Sequence, residues 1–128
     1  MIDRIPGMIA AIGGFVLLLF GGWAMLFPES FFESIAAFEP YNVHFIQDIG
    51  SFQLGLGATL VLAAFLTDDA LLAALFGVGI GALAHVVSHL VALGSGGSPE
   101  IDVPSLSFLA VILLVGAAVR WRRQRTVV

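Results

Sequence analysis

The stretch LLAALFGVGIGALAHVVSHLVAL, residues 71–93, decides the fold. It carries no charged residue and is long enough to cross a bilayer core of ~30 Å, which takes about 20 helical residues. His85 and His89 lie four apart, so a helix stacks them on one face, one turn above the other. Gly77 and Gly81 continue that face in steps of four. Small residues let a second helix approach closely, so the histidines are expected to point into a helix contact.

Three more apolar runs flank this one. Residues 7–27, 43–66 and 104–121 each read as a crossing, which makes four with 71–93, and Gly13, Gly14, Gly21 and Gly22 offer small surfaces for helix packing on the first. Residues 29–38 read differently. Phe31, Phe32, Ile35 and Phe38 share one side of a helix and Glu29, Glu33 and Ser34 fall elsewhere, the pattern of a short amphipathic helix lying in the membrane interface. Glu39-Pro40-Tyr41-Asn42 is a turn signal. Asp68 or Asp69 is expected to cap the third crossing and Pro104 to occupy the first position of the fourth. Residues 94–103 read as a polar, glycine-rich loop. The expected fold is therefore all-α: one integral membrane four-helix bundle over residues 1–128, with an outer amphipathic helix between the first and second crossings.

Composition agrees. The 128 residues are 59% hydrophobic and 11% charged, against roughly 45–50% and 25% in soluble domains. Mean hydropathy is +1.06. Lipid is the solvent this composition suits. Cysteine is absent, which excludes disulfides, thiolate catalysis and cysteine metal ligands. Lysine is absent too, and the only basic run is the tail Arg120, Arg122, Arg123 and Arg125. That gives no support for nucleic-acid binding. With four crossings both termini share a side, and that side holds every arginine, Arg4 included. The opposite side carries Glu29, Glu33, Glu39, Glu100 and Asp102 with no basic residue. The positive-inside rule then places both termini in the cytoplasm. Trp23 and Tyr41 would sit at the outer interface and Trp121 at the inner one.

Polar residues gather at one depth. His44, Asp48, Ser51 and Gly55 share a face of the second crossing. Counting about 1.5 Å per residue, an antiparallel partner puts His44 level with His89 and Asp48 level with His85. The glycines of the two faces, Gly55 on one and Gly77 and Gly81 on the other, suggest that the faces meet. Three imidazoles and a carboxylate suit zinc, copper or iron and do not suit calcium or magnesium. Asp102, Glu100 and Met25 are candidate additional ligands from the outer end. The same groups serve equally as an interhelical His–Asp clasp without metal, and His44 with His89 is the level pair that haem ligation would need, although close glycine faces leave little room for a macrocycle.

The stretches HFIQDIG (44–50), QLGLG (53–57) and AHVVSH (84–89), set in four crossings with a long first outer connection, resemble the small bacterial DoxX-like membrane proteins. The resemblance implies a multi-pass protein of the bacterial cytoplasmic membrane working beside other membrane subunits. Better-known members are associated with membrane redox complexes and quinone-linked sulfur oxidation. Without cysteine, thiol chemistry of that kind does not carry over, and no catalytic residue is transferred. The leading expectation is a small membrane protein with an outward-facing His/Asp site that binds a transition metal and serves as an accessory or partner subunit. A membrane redox protein using quinone or haem is one alternative. A structural or assembly protein, associating through its glycine faces, is the other.

Overall fold

In the computed structural model, residues 4–93 and 98–126 are described. Five helices run in order: α1 (Ile5–Leu26), α2 (Pro28–Ser34), α3 (Val43–Ala63), α4 (Asp68–Val91) and α5 (Pro99–Thr126). All but α2 are long and apolar enough to cross a membrane. The chain is an all-helical, multi-pass membrane protein. Only 22–33% of each apolar window is buried within the chain, so most of each helix surface is left for lipid or for another subunit.

Local chemistry sets the helix ends. Phe27 closes α1, its N–H bonding to the Trp23 carbonyl at 2.8 Å, and Pro28 opens α2 directly behind it. The Asn42 side chain caps α3, accepting from the backbone N–H groups of His44 at 3.0 Å and Phe45 at 3.3 Å. Neither aspartate caps α4. Thr67 does, accepting from the Ala70 N–H at 3.3 Å, and Asp68 and Asp69 lie in the first turn, where the helix dipole favours negative charge. The fourth crossing begins earlier than expected. Pro99 takes the first-turn position and Pro104 lies inside α5, where it removes only the hydrogen bond to the Glu100 carbonyl near an exposed end. Part of the polar loop expected over 94–103 is thus helix, and residues 94–97 lie outside the described residues. α2 is shorter than the 29–38 expected, ending at Ser34.

The long helices pack as two pairs, α1 with α3 and α4 with α5. Glycine at a seven-residue interval makes the first pair. A Cβ built on Gly14 would lie 2.7 Å from the Gly57 carbonyl oxygen, and one built on Gly57 would lie 2.7 Å from that of Gly14. Gly21 and Gly50 repeat the arrangement at 2.8 and 2.9 Å. A seven-residue step returns to nearly the same helix face, so two antiparallel helices meet backbone to backbone twice. Gly14 and Gly21 thus pack as expected of small surfaces on the first crossing, and the correction concerns the other three glycines. A Cβ at Gly55, Gly77 or Gly81 would meet nothing within 4 Å. Those faces are open within the chain, and α3 and α4 touch only lightly.

The two pairs join at the end that carries Arg4 and the arginine tail, here called the arginine end. Leu60, Leu71, Leu75, Val78 and Leu113 form one buried core there, drawn from α3, α4 and α5, with Ala10 of α1. Arg120 pairs with Asp68, and Gln124 donates to Asp69 at 2.7 Å, tying α5 to the start of α4. At the opposite, acidic end the buried cluster is Ala24, Phe31, Ala36 and Ile46, from α1, α3 and the segment between them. α4 and α5 add nothing to it. The pairs part toward the acidic end, and a cavity opens between them.

Candidate site at the acidic end

The cavity has a volume of about 520 Å³. Its walls are apolar: Ile12, Val16 and Phe20 of α1 face Ile101, Phe108 and Leu109 of α5, and Phe31 and Phe38 lie over its acidic end. The seven-residue glycine contacts hold α3 against α1 and so leave the α1–α5 side free to separate. The polar groups on its walls are few, chiefly Gln53 of α3, His85 and His89 of α4, and Asp102 and Ser105 of α5.

Three of these form a chain. His85 Nε2 lies 3.2 Å from His89 Nε2, with ring centroids 4.9 Å apart and planes at 49°. His89 Nδ1 lies 3.8 Å from Asp102 Oδ2, their side chains 26% and 17% exposed. The carboxylate is held from behind, because the same Oδ2 accepts the Ser98 backbone N–H at 2.8 Å. That contact closes the first turn of α5, where Ile101 and Asp102 donate to the Ser98 carbonyl. It is the reach-back of a capping box, with an aspartate one residue further along. A carboxylate beside Nδ1 favours the His89 tautomer with its proton there, which leaves the Nε2 lone pair toward His85. The chain thus runs along the cavity wall from Asp102, through His89, to the more exposed His85. Gln53 also lines the cavity, and its Oε1 is buried without a hydrogen-bond partner.

The four residues expected to gather do not. His44 pairs with Asp48 one turn along its own helix, at 3.6 Å, with side chains 85% and 52% exposed. Neither lines the cavity. The physical reason is the pairing of helices: α3 is engaged by α1, and α4 by α5. His44 and His89 therefore face different partners, and the axial pair for haem is not assembled. Among the described residues, no three histidine, aspartate or glutamate side chains gather as a metal-ligand set. Met25 packs its side chain toward Gly50, and its carbonyl accepts from Gln47 Nε2 at 3.3 Å. Glu100 is exposed in the first turn of α5. Of the candidate additional ligands only Asp102 joins the histidines.

No family model, curated protein or solved structure matches the chain. The functional reading therefore rests on the site.

Sequence reasoning understated Asp102 and Gln53. The signal for Asp102 was available: only a short connection separates His89 from Asp102, so an antiparallel hairpin brings α5's first turn beside α4's last. For Gln53 the signal was a lone amide well inside an apolar crossing. The cavity itself had none, since its walls are ordinary apolar side chains.

Proposed function

We propose that this chain is a small protein of the bacterial cytoplasmic membrane, termini in the cytoplasm, that binds a quinone-type amphiphile in an outward-facing cleft. It serves there as an accessory or partner subunit of a membrane redox assembly of the DoxX-like kind. The observation that carries the reading is an apolar cavity of about 520 Å³ with His85, His89 and Asp102 at its polar end. The volume is within the range of about 300–1,000 Å³ that small-molecule sites occupy, and such sites pair apolar walls with a few converging polar groups.

Charge narrows the ligand class. Residues 28–103 contain no arginine or lysine, so an anionic phosphate head finds no cation at this end. A neutral ring bearing carbonyl or hydroxyl oxygens suits imidazoles that both donate and accept. The apolar ring and tail suit Phe20, Phe108 and Leu109. The test is extraction of the protein purified in mild detergent, with bound lipids identified by mass spectrometry. Near-stoichiometric quinone in the wild type, lost in Leu109→Trp, supports the reading. Phospholipid alone in both refutes it.

A second reading has its own observation. His89 and Asp102 join α4 to α5, so the chain of three also serves as an interhelical clasp. Asp102→Asn would then lower the unfolding midpoint in detergent without changing the extracted lipids. For assembly, the open Gly77 and Gly81 face is the surface offered to a second copy or another subunit. Gly77→Leu with Gly81→Leu should keep the helical circular dichroism and lose the mass of the assembled species in light scattering. An unchanged mass counts against this face.

A further inference from the structure

We propose that His85 and His89 form a two-nitrogen chelate for a divalent transition metal ion, with the remaining coordination positions open to the cavity. This inference does not rest on the quinone reading. The deciding geometry is the Nε2–Nε2 separation of 3.2 Å. Two nitrogens bound at about 2.0–2.1 Å lie about 2.9 Å apart at a right angle and about 3.4 Å apart at the tetrahedral angle. The observed separation falls between, so one ion can take the place of the proton that the two nitrogens now share, with the rings turned to aim both lone pairs at it. The helix supplies the rest of the bite, because an i, i+4 pair presents both rings from one face.

The far side of His89 supports the same assignment. Metal-bound histidine commonly gives its other N–H to a carboxylate, which fixes the tautomer and raises the basicity of the binding nitrogen. Asp102 Oδ2 stands 3.8 Å from Nδ1 and is anchored by the Ser98 N–H at 2.8 Å. The surroundings also accept positive charge: Glu100 and Asp102 are at this end, and no arginine or lysine is. Imidazole donors select among zinc, copper, nickel and iron. With no third His, Asp or Glu side chain joining among the described residues, the site is open rather than closed. Its vacant positions face a cavity in which a neutral oxygen of water or of a ligand head completes the shell. Such a site binds more weakly than the closed four-ligand sites that hold structural zinc.

The test is titration of the full chain, in nanodiscs of phosphatidylcholine and without added quinone, with Co²⁺. The visible d–d absorption of Co²⁺ reports nitrogen coordination, and Zn²⁺ is then added as a competitor. The expected result is a saturable absorption in the wild type and in His44→Ala, abolished by Zn²⁺. Asp102→Asn should weaken binding by about tenfold or more. His85→Ala and His89→Ala should each remove the signal while keeping the wild-type elution volume. A wild type without the absorption overturns the proposal, whatever the variants do. So does a signal that survives in both histidine variants, or one lost in His44→Ala, where the exposed His44–Asp48 pair would be the true site. A positive titration beside an extract of phospholipid alone keeps the metal site and removes the quinone.

Discussion

Replacing Gly14 by alanine tests how the two helix pairs are built. The added methyl would lie 2.7 Å from the Gly57 carbonyl oxygen, 2.8 Å from Val61 Cγ2 and 3.0 Å from Leu60 Cβ. Ordinary contact begins near 3.4 Å, so α1 and α3 must part locally by about 0.7 Å. Backbone oxygen cannot rotate away as a flexible side chain can. Overpacking of this kind costs about 1–3 kcal/mol. Alanine also gains about 1 kcal/mol over glycine in a helix interior, so the absolute change is a poor readout. Gly55→Ala supplies the reference, because its methyl meets nothing within 4 Å and its propensity gain is similar. The difference between the two variants isolates packing and is expected at about 1–3 kcal/mol, with Gly14→Ala the less stable. Unfolding in mixed dodecylmaltoside and dodecyl sulfate micelles, followed by far-ultraviolet circular dichroism, measures it. If the two variants agree within about 0.5 kcal/mol, the scatter of substitutions away from special features, the α1–α3 glycine contact is not what joins these helices.

Asn42→Ala should cost about 0.5–2 kcal/mol in the same assay, because the Asn42 side chain caps two N–H groups at the start of α3; recovery by Asn42→Asp would separate the cap from a packing effect. At the arginine end, Asp68→Ala should cost less than about 1 kcal/mol, since Asp68 is 72% exposed and its pairing with Arg120 is screened. Arg120→Ala should cost more than Asp68→Ala in thermal unfolding, because the Arg120 side chain is only 14% exposed and its stem is lost with its charge. The chain has no cysteine, so Asn42→Cys and Gln124→Cys can each be labelled alone in intact cells. A membrane-impermeant maleimide should reach position 42 and not position 124; the reverse pattern would invert the proposed orientation.

The crossings were legible because apolar length and charge segregation are properties of single segments. Residues 71–93 announce a crossing without knowledge of any neighbour, and α4 occupies Asp68–Val91. Which helices touch is a property of pairs, and there depth misled. Counted along the helices, His44 and Asp48 come level with the α4 histidines, but level is not facing. Glycine was the right signal: Gly14 and Gly21 of the first crossing do pack, whereas Gly55, Gly77 and Gly81 do not. Steps of four at Gly77 and Gly81 mark an open face, and the steps of seven at Gly14 and Gly21, matched by Gly50 and Gly57, mark the contact. A shared interval on two helices is the stronger pattern, since close approach needs small residues on both sides. Asp102 was within reach as a sequence neighbour of His89 across a short connection. Pro104, read as a helix start, placed it in a loop instead. The cavity was not legible, because it arises where two pairs fail to close.

Asp102 performs two tasks with one oxygen: its Oδ2 accepts the Ser98 N–H that starts α5 and also faces His89 Nδ1. The two tasks are thermodynamically linked. Whatever draws electron density from His89 pulls on the carboxylate that closes the first turn of α5, and an ordered first turn presets the imidazole for whatever binds it. By reciprocity, the free energy with which occupancy at His89 steadies residues 98–102 equals the free energy with which their order favours occupancy. Hydrogen exchange at the Ser98 amide is therefore a remote gauge of the histidines, readable with no chromophore at the site.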